Sequence, residues 1–192
     1  MAKKYEFQPD KPYSSWLNKL QLTKLQQKQL LKWFLYALVL IVLSVLQDVV
    51  MCRVRFFGGT TALVPCGIFT ISMLEGTQRG SVFALVSSTL YLLSGSAPGI
   101  HVIVVIPLLA ILLSAFQQAY MHAGFPAVHF CTTVAMAIYE LAIFGFCLLV
   151  EQVTVNRWTG FLVPAVLTVV IVPFIYPFAK AISKIGGEAW NE

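Results

Sequence analysis

Apolar residues gather in six runs along the chain, and short polar turns separate them. A helix that crosses a bilayer needs about 20 mostly apolar residues, and about 17 can suffice. The second and third runs are shorter than this, whereas the other four are long enough. The runs cover residues 33–51, 60–75, 80–94, 100–118, 127–150 and 159–182. The pattern predicts an all-α integral membrane protein with a compact bundle of six transmembrane helices in residues 33–185.

The second and third runs leave an alternative open. The turn between them, LEGTQRG, is short and polar, so the pair also fits one re-entrant hairpin. Each helix can gain residues from its flanking turns, and a short span can thin the bilayer at modest cost. We therefore expect two full spans.

The composition favours a membrane protein over a soluble one. Of the 192 residues, 58% are hydrophobic and 11% are charged, and the mean hydropathy is +0.80. Soluble domains carry about a quarter charged residues, and a soluble chain of this size keeps a large exposed surface. We therefore expect the lipid bilayer to cover the apolar surface.

Basic residues gather ahead of the first apolar run. The formal net charge is +5, and seven of the thirteen Lys and Arg residues precede residue 33. No nucleic-acid-binding motif accompanies them, so we expect no nucleic acid partner. Residues 1–32 are predicted to be a cytoplasmic segment with a basic helix over residues 14–32. The candidates for contact with an anionic membrane surface share one face of it at i, i+4 spacing: Lys24, Lys28 and Lys32.

That basic helix has two interpretations. It is either a stiff extension of the first span, or a helix that lies on the membrane surface or docks a partner. The orientation follows from the same residues: with the N-terminus inside, ten Lys and Arg residues are cytoplasmic and three are outside. Six spans return the C-terminus to the cytoplasm, so the topology is N-in/C-in and residues 186–192 form a short cytoplasmic tail.

Three acidic residues lie inside the runs, where burying a charge in a membrane is expensive. Glu75 fits a role in the turn beside Gly76 and Arg79, and the other two are candidates for chemistry. Asp48 lies near the outer end of the first run, with Arg53 and Arg55 close behind it, which fits an interfacial acid. Glu140 lies near the middle of the fifth run, where a functional and a structural role both remain open. Its possible partners besides backbone and hydroxyl groups are Gln117, Gln118 and His101.

No pattern indicates catalysis. The four cysteines show no CxxC spacing, and the three histidines show no HExxH or other metal spacing. No nucleotide-binding loop or nucleophile motif is present. We therefore expect no enzymatic activity, no metal and no cofactor.

A series of short motifs follows the first run in a fixed order. It comprises an aromatic–Gly turn, a proline, an acid–Gly pair, a glycine four residues later, a Gly-containing loop and a Gly–aliphatic–His triplet. The residues are Phe57, Gly58, Pro65, Glu75, Gly76, Gly80, Gly95, Gly99, Ile100 and His101. In this order and spacing, the chain from about Leu31 onward resembles the MreD family of rod shape-determining proteins. It departs from the family at Tyr91, where an Asp is usual.

The resemblance implies a non-catalytic scaffold of the bacterial cell-elongation machinery, multi-pass in the cytoplasmic (inner) membrane. MreD-like proteins are associated with MreC, a single-span coiled-coil protein, with the actin-like MreB, and with peptidoglycan synthases. These are the expected partners, direct or indirect. An alternative is the substrate-binding membrane component of a vitamin transporter of the energy-coupling factor type, which also has six short spans. An intramembrane enzyme that uses Glu140 is a third hypothesis.

Overall fold

Helices account for nearly all of the structure, a computed structural model that describes residues 24–51, 62–121, 124–150 and 159–186. No strand occurs among these residues, which confirms the predicted all-α class. Helix α1, Lys24–Val45, continues into a π-helical turn, Leu46–Met51. The remaining elements are α2, Leu63–Leu93; α3, Val102–Tyr120; α4, Phe125–Leu149; α5, Thr159–Ser183; and a closing 3₁₀ turn, Lys184–Gly186.

Helix α2 is a hairpin of two helical arms that meet at Gly76. The backbone angles of Gly76 are φ 79° and ψ 178°, a conformation that is essentially restricted to glycine. We call residues 63–75 arm 2a and residues 77–93 arm 2b. The Ser72 hydroxyl donates a hydrogen bond of 3.1 Å to the carbonyl of Gly80, which would lie far away in a continuous helix. The chain therefore reverses direction at one residue.

The close approach of the two arms depends on Gly80. A Cβ atom at this position would collide with the backbone carbonyl group of Ser72, which cannot move aside as a side chain can. The predicted spans end near residue 75 and begin again near residue 80, with a short polar turn between them. Residues 77–79 are helical, because Gly76 alone makes the turn.

The arms are shorter than a bilayer is thick. At 1.5 Å per residue, arm 2a extends about 20 Å and arm 2b about 25 Å, against about 30 Å for a hydrocarbon core. Every residue from Leu63 to Met73 is buried, so arm 2a packs against protein on all sides. Arm 2a thus forms the centre of the molecule, whereas arm 2b exposes large apolar side chains such as Val82, Leu90 and Leu93.

The helical segments alternate in direction. Near the start of α1, Tyr36 contacts both Glu75, at the hairpin turn, and Ala179, near the end of α5. Near the end of α1, Gln47 contacts Val64 and Tyr91, at the open ends of the two arms. We call the end of the molecule with the hairpin turn the proximal end and the other the distal end. The start of α1 and the end of α5 both lie at the proximal end.

Three helices are long and apolar enough to cross a membrane: Gln26–Val49, Val102–Tyr120 and Phe125–Leu149. The apolar stretch Val169–Ser183 of α5 is shorter. Large apolar side chains are exposed on α1, α3, α4 and α5, for example Phe34, Leu112, Leu141 and Phe178. This surface is the one a membrane protein presents to lipid, because lipid removes the cost of exposing it.

Candidate functional site: a buried ion pair at the hairpin turn

An ion pair lies in the interior of the proximal end. The Lys32 ammonium group is 2.7 Å from Oε1 of Glu75, and the two side chains are 4% and 1% exposed. The Tyr36 hydroxyl donates a hydrogen bond of 2.6 Å to the same oxygen. A buried charge pair is tolerated when further hydrogen bonds satisfy its atoms, and Tyr36 supplies one of them.

Two elements position this site. Lys32 and Tyr36 are one turn apart on α1, so both side chains point from the same face towards the hairpin. Glu75 is the last residue of arm 2a, immediately before the glycine that reverses the chain. The acid is thus held by the turn, and its two partners are held by the helix that packs against the turn.

Aromatic rings cover the site. The ring centroids of Trp33, Tyr36 and Phe83 are 5.8–6.1 Å apart, and Ile71 packs against the same cluster. These rings exclude water from one side of the ion pair. The attraction between Lys32 and Glu75 is stronger in such surroundings than it would be in water.

A cavity of about 180 Å³ adjoins the other side of the ion pair. Among the described residues, Oε2 of Glu75 is buried and has no hydrogen-bond partner. Arg79 is exposed and makes no ion pair with any residue that the structure describes. The cavity is lined by Gln29, Lys32, Trp33, Glu75 and Arg79.

The hairpin turn is also fixed from α3. The Thr77 hydroxyl donates a hydrogen bond of 2.6 Å to Oε1 of Gln118. The amide nitrogen of Gln118 lies so close to Gly76 that a Cβ atom there would meet it. The backbone angles of Gly76 restrict this position to glycine, whereas the end of the flexible Gln118 side chain can move away from a Cβ.

A second polar cluster lies at the distal end, on the π-helical turn. The Gln47 amide accepts a hydrogen bond of 3.0 Å from the backbone N–H of Val64 and donates one of 3.2 Å to the Tyr91 hydroxyl. The Ser96 hydroxyl donates a bond of 2.8 Å to Asp48. Asp48 thus connects the π-helical turn to the loop after arm 2b. Arg53 and Arg55, the predicted neighbours of Asp48, lie outside the described residues.

Glu140 is buried in α4, at 7% exposure. It forms no hydrogen bond or ion pair with a residue in the described ranges, so the three expected partners do not bind it. His101 stacks on Phe146, with ring centroids 4.7 Å apart, and Gln118 binds Thr77. Gln117 is buried, and its amide atoms have no partner among the described residues.

The predicted site residues fall into two groups. Lys32, Glu75, Gly76 and Gly80 meet at the proximal end. The distal group is Asp48, Pro65, Gly95, Gly99 and His101. Pro65 is in the first turn of arm 2a, where its missing N–H leaves no helical bond unmade. Glu140 lies within electrostatic range of Tyr91, beside the distal group.

The interpretation of Lys32 as a membrane-surface residue is wrong, because its side chain is buried against Glu75. Lys28, one turn earlier, is exposed. The side chain of Lys24 lies outside what the structure describes. Tyr36 and Gln47 were not predicted as site residues, and Tyr91 was noted only as a departure from the MreD pattern. A tyrosine four residues after Lys32 was the available signal for the first of them.

Comparisons with protein-family models, with curated proteins and with solved structures find no match. Within the described ranges, no group of three or more His, Cys, Asp or Glu side chains is placed to hold a metal ion. The function of the chain is therefore proposed from its residues and their geometry.

Proposed function

We propose that this protein is a non-catalytic scaffold of the bacterial cell-elongation machinery, similar to MreD. In this proposal all six helical segments lie across the cytoplasmic membrane, with both chain ends in the cytoplasm. The bundle holds an MreC-like single-span protein and connects it to an MreB-like filament and to peptidoglycan synthases.

The observation that carries the proposal is the architectural role of the MreD-like motif residues. Glu75 ends arm 2a, Gly76 makes the hairpin turn, and Gly80 permits the close contact of the two arms. Gly95 has φ 77° in the loop that follows arm 2b. Residues that share a motif and shape the backbone suit a scaffold better than an enzyme, whose motif residues would converge on a reacting group.

The exposed surface offers a place for a partner helix. An apolar groove of about 320 Å³ runs between α1 and α5. Its lining is entirely apolar and includes the exposed residues Leu38, Val42, Phe174 and Phe178. Helices associate in membranes mainly by close packing, so such a groove suits the transmembrane helix of an MreC-like protein. We call it the α1/α5 groove.

The distribution of charge supports the orientation. Exposed cations lie at the proximal end, on α1, at the hairpin turn and at the end of α5: Lys28, Arg79, Lys180 and Lys184. Basic residues favour the cytoplasmic side. The proximal end is therefore cytoplasmic in this proposal. There the basic N-terminal segment can reach the inner leaflet or an MreB-like partner.

Co-purification tests the proposal. We expect a tagged form of this protein, extracted in mild detergent, to retain an MreC-like single-span partner. The double variant Leu38→Ala/Phe178→Ala should lose most of this partner, because it removes two side chains of the α1/α5 groove. The control Leu108→Ala/Leu112→Ala removes exposed side chains of similar size from α3. A complex that contains no such partner, or equal retention by both double variants, would contradict the proposal.

Depletion tests the cellular role. We expect rod-shaped cells to become round when the protein is depleted, and unchanged shape would refute a role in elongation. The vitamin-transporter alternative requires a closed polar pocket with an aromatic lining near the outer face. The polar cavity beside Glu75 lies instead at the proximal, proposed cytoplasmic, end. A vitamin that raises the melting temperature of the purified protein would favour that alternative.

A further inference from the structure

We propose that the cavity beside the Lys32–Glu75 ion pair binds the headgroup of an anionic phospholipid of the phosphoglycerol type. The phosphate contacts Arg79, and a glycerol hydroxyl donates a hydrogen bond to Oε2 of Glu75. This site is separate from the α1/α5 groove and does not depend on the identity of any protein partner. We call it the headgroup cavity.

The charge of the lining favours an anion. Two cations, Lys32 and Arg79, face one carboxylate, Glu75, so the lining carries one net positive charge. Glu75 already neutralises Lys32 across 2.7 Å. The charge of Arg79 is left for a ligand, since it has no ion-pair partner among the described residues. A guanidinium group binds a phosphate through two parallel hydrogen bonds.

The free oxygen of Glu75 specifies a second feature of the ligand. Oε2 is buried, belongs to a side chain that is 1% exposed, and accepts no hydrogen bond from a described residue. A buried acceptor without a donor is unfavourable. A phosphodiester group has no donor to offer and would repel the carboxylate. The ligand therefore needs a hydroxyl or ammonium donor close to its phosphate, and the net positive charge favours the hydroxyl.

The surroundings indicate a lipid as the source of this phosphate ester. The apolar side chains of Leu30, Leu31 and Phe34 are exposed on α1 next to the cavity residues Gln29 and Trp33. Acyl chains can lie along this surface while the headgroup enters the cavity. The volume of about 180 Å³ accommodates a group the size of several water molecules.

Lipid binding to the purified protein tests the proposal. The probes are phosphatidylglycerol, phosphatidic acid, phosphatidylethanolamine and phosphatidylcholine, added singly in detergent and followed by native mass spectrometry and by the melting temperature. We expect phosphatidylglycerol to bind most tightly. Equal binding of phosphatidic acid, which lacks the headgroup hydroxyl, or tighter binding of phosphatidylethanolamine would overturn the assignment. Soluble glycerol phosphate that raises the melting temperature as much as the lipid would exclude a lipid source.

Two variants locate the site. Arg79→Gln should weaken phosphatidylglycerol binding about tenfold, which corresponds to about 1.4 kcal/mol. Lys28→Gln removes the same charge from an exposed position at the proximal end that does not line the cavity, and it should change binding less than twofold. Equal losses in the two variants would show that the lipid responds only to the general basic charge, which would overturn the proposal.

Glu75→Gln tests the hydroxyl contact. It keeps the shape of the side chain and should reduce the preference for phosphatidylglycerol over phosphatidic acid. If this variant does not fold, binding of phosphatidylglycerol and of phosphatidic acid to the Arg79→Gln and Lys28→Gln proteins still tests the proposed site. Melting temperatures that fall in Arg79→Gln without any change in lipid binding would mean that Arg79 serves the fold alone, and this would also refute the site.

Discussion

At the scale of single residues, Glu75 is a buried carboxylate whose charge must be compensated by its neighbours. Its side chain is 1% exposed, and Lys32 and Tyr36 both bind one of its oxygens. Removal of one partner from a buried ion pair leaves an uncompensated charge. Replacement of both partners by apolar residues of similar volume is often neutral or stabilising.

Lys32→Met should therefore lower the free energy of unfolding by about 3–5 kcal/mol. The double variant Lys32→Met/Glu75→Leu should recover most of that loss. Reversible unfolding in mixed micelles measures both, and Lys28→Met is the control, since an exposed substitution changes stability by about 0.5 kcal/mol or less. A double variant as unstable as the sum of its single variants would show that the two residues do not act as a pair.

Glycine substitutions measure how strongly each backbone conformation depends on glycine. Gly76→Ala meets a φ of 79° with a ψ of 178°, which is essentially restricted to glycine, and it also pushes aside the flexible end of Gln118. Gly95→Ala meets only the positive φ of 77°, at about 1–2 kcal/mol. Gly145→Ala has open space and lies within α4, so it should be neutral or stabilising. The melting temperature should be highest for Gly145→Ala, lower for Gly95→Ala and lowest for Gly76→Ala. Any other order would contradict this interpretation.

The sequence predicted some of these residues and not others. The acid–Gly pair and the glycine four residues later are visible as a motif, and they make the hairpin turn. The three lysines at i, i+4 spacing look alike in the sequence. Lys32 is buried and Lys28 is exposed, because the hairpin packs against α1 at the turn that holds Lys32. This packing is a tertiary feature that local spacing does not contain.

At the scale of elements, the π-helical turn Leu46–Met51 connects α1 to both arms of the hairpin. A π-helical turn changes the direction in which its side chains point. Here Gln47 reaches the first turn of arm 2a and accepts the N–H of Val64. Residue Ala62, which precedes that arm, has no side-chain group to do so. Gln47 therefore caps a helix from another element.

Gln47→Leu should lower the free energy of unfolding by about 1–3 kcal/mol, because it leaves the Val64 N–H without its partner. The matched control is Gln27→Leu, the same change at an exposed position of α1. Unfolding in mixed micelles measures both. Equal stability of the two variants would show that the cap contributes nothing.

The elements themselves were largely predictable. Each of the six apolar runs contains a helical segment, because an apolar run of this length has few other ways to satisfy its backbone in lipid. The link between the second and third runs was not predicted in detail. Polar residues such as Thr77 and Arg79 indicate a loop, yet they continue a helix after a turn made by Gly76 alone.

At the scale of the whole molecule, the alternation of the segments brings the start of α1 and the end of α5 to the proximal end. Arm 2a is short, and longer helices enclose it. The length of arm 2a is therefore not set by the thickness of a bilayer. For this reason the length of the second apolar run did not decide between a full span and a re-entrant hairpin. The exposed apolar side chains of α1, arm 2b, α3, α4 and α5 form the surface that lipid is proposed to cover.

The accessibility of single cysteines tests the proposed membrane arrangement most directly. Cysteines are placed at Lys28 and Lys184, at the proximal end, and at Pro98, at the distal end, after replacement of the four native cysteines. In intact cells a membrane-impermeant maleimide should label position 98, and it should label positions 28 and 184 only after permeabilisation. Labelling of 28 and 184 from opposite sides, or of all three from one side, would contradict the account.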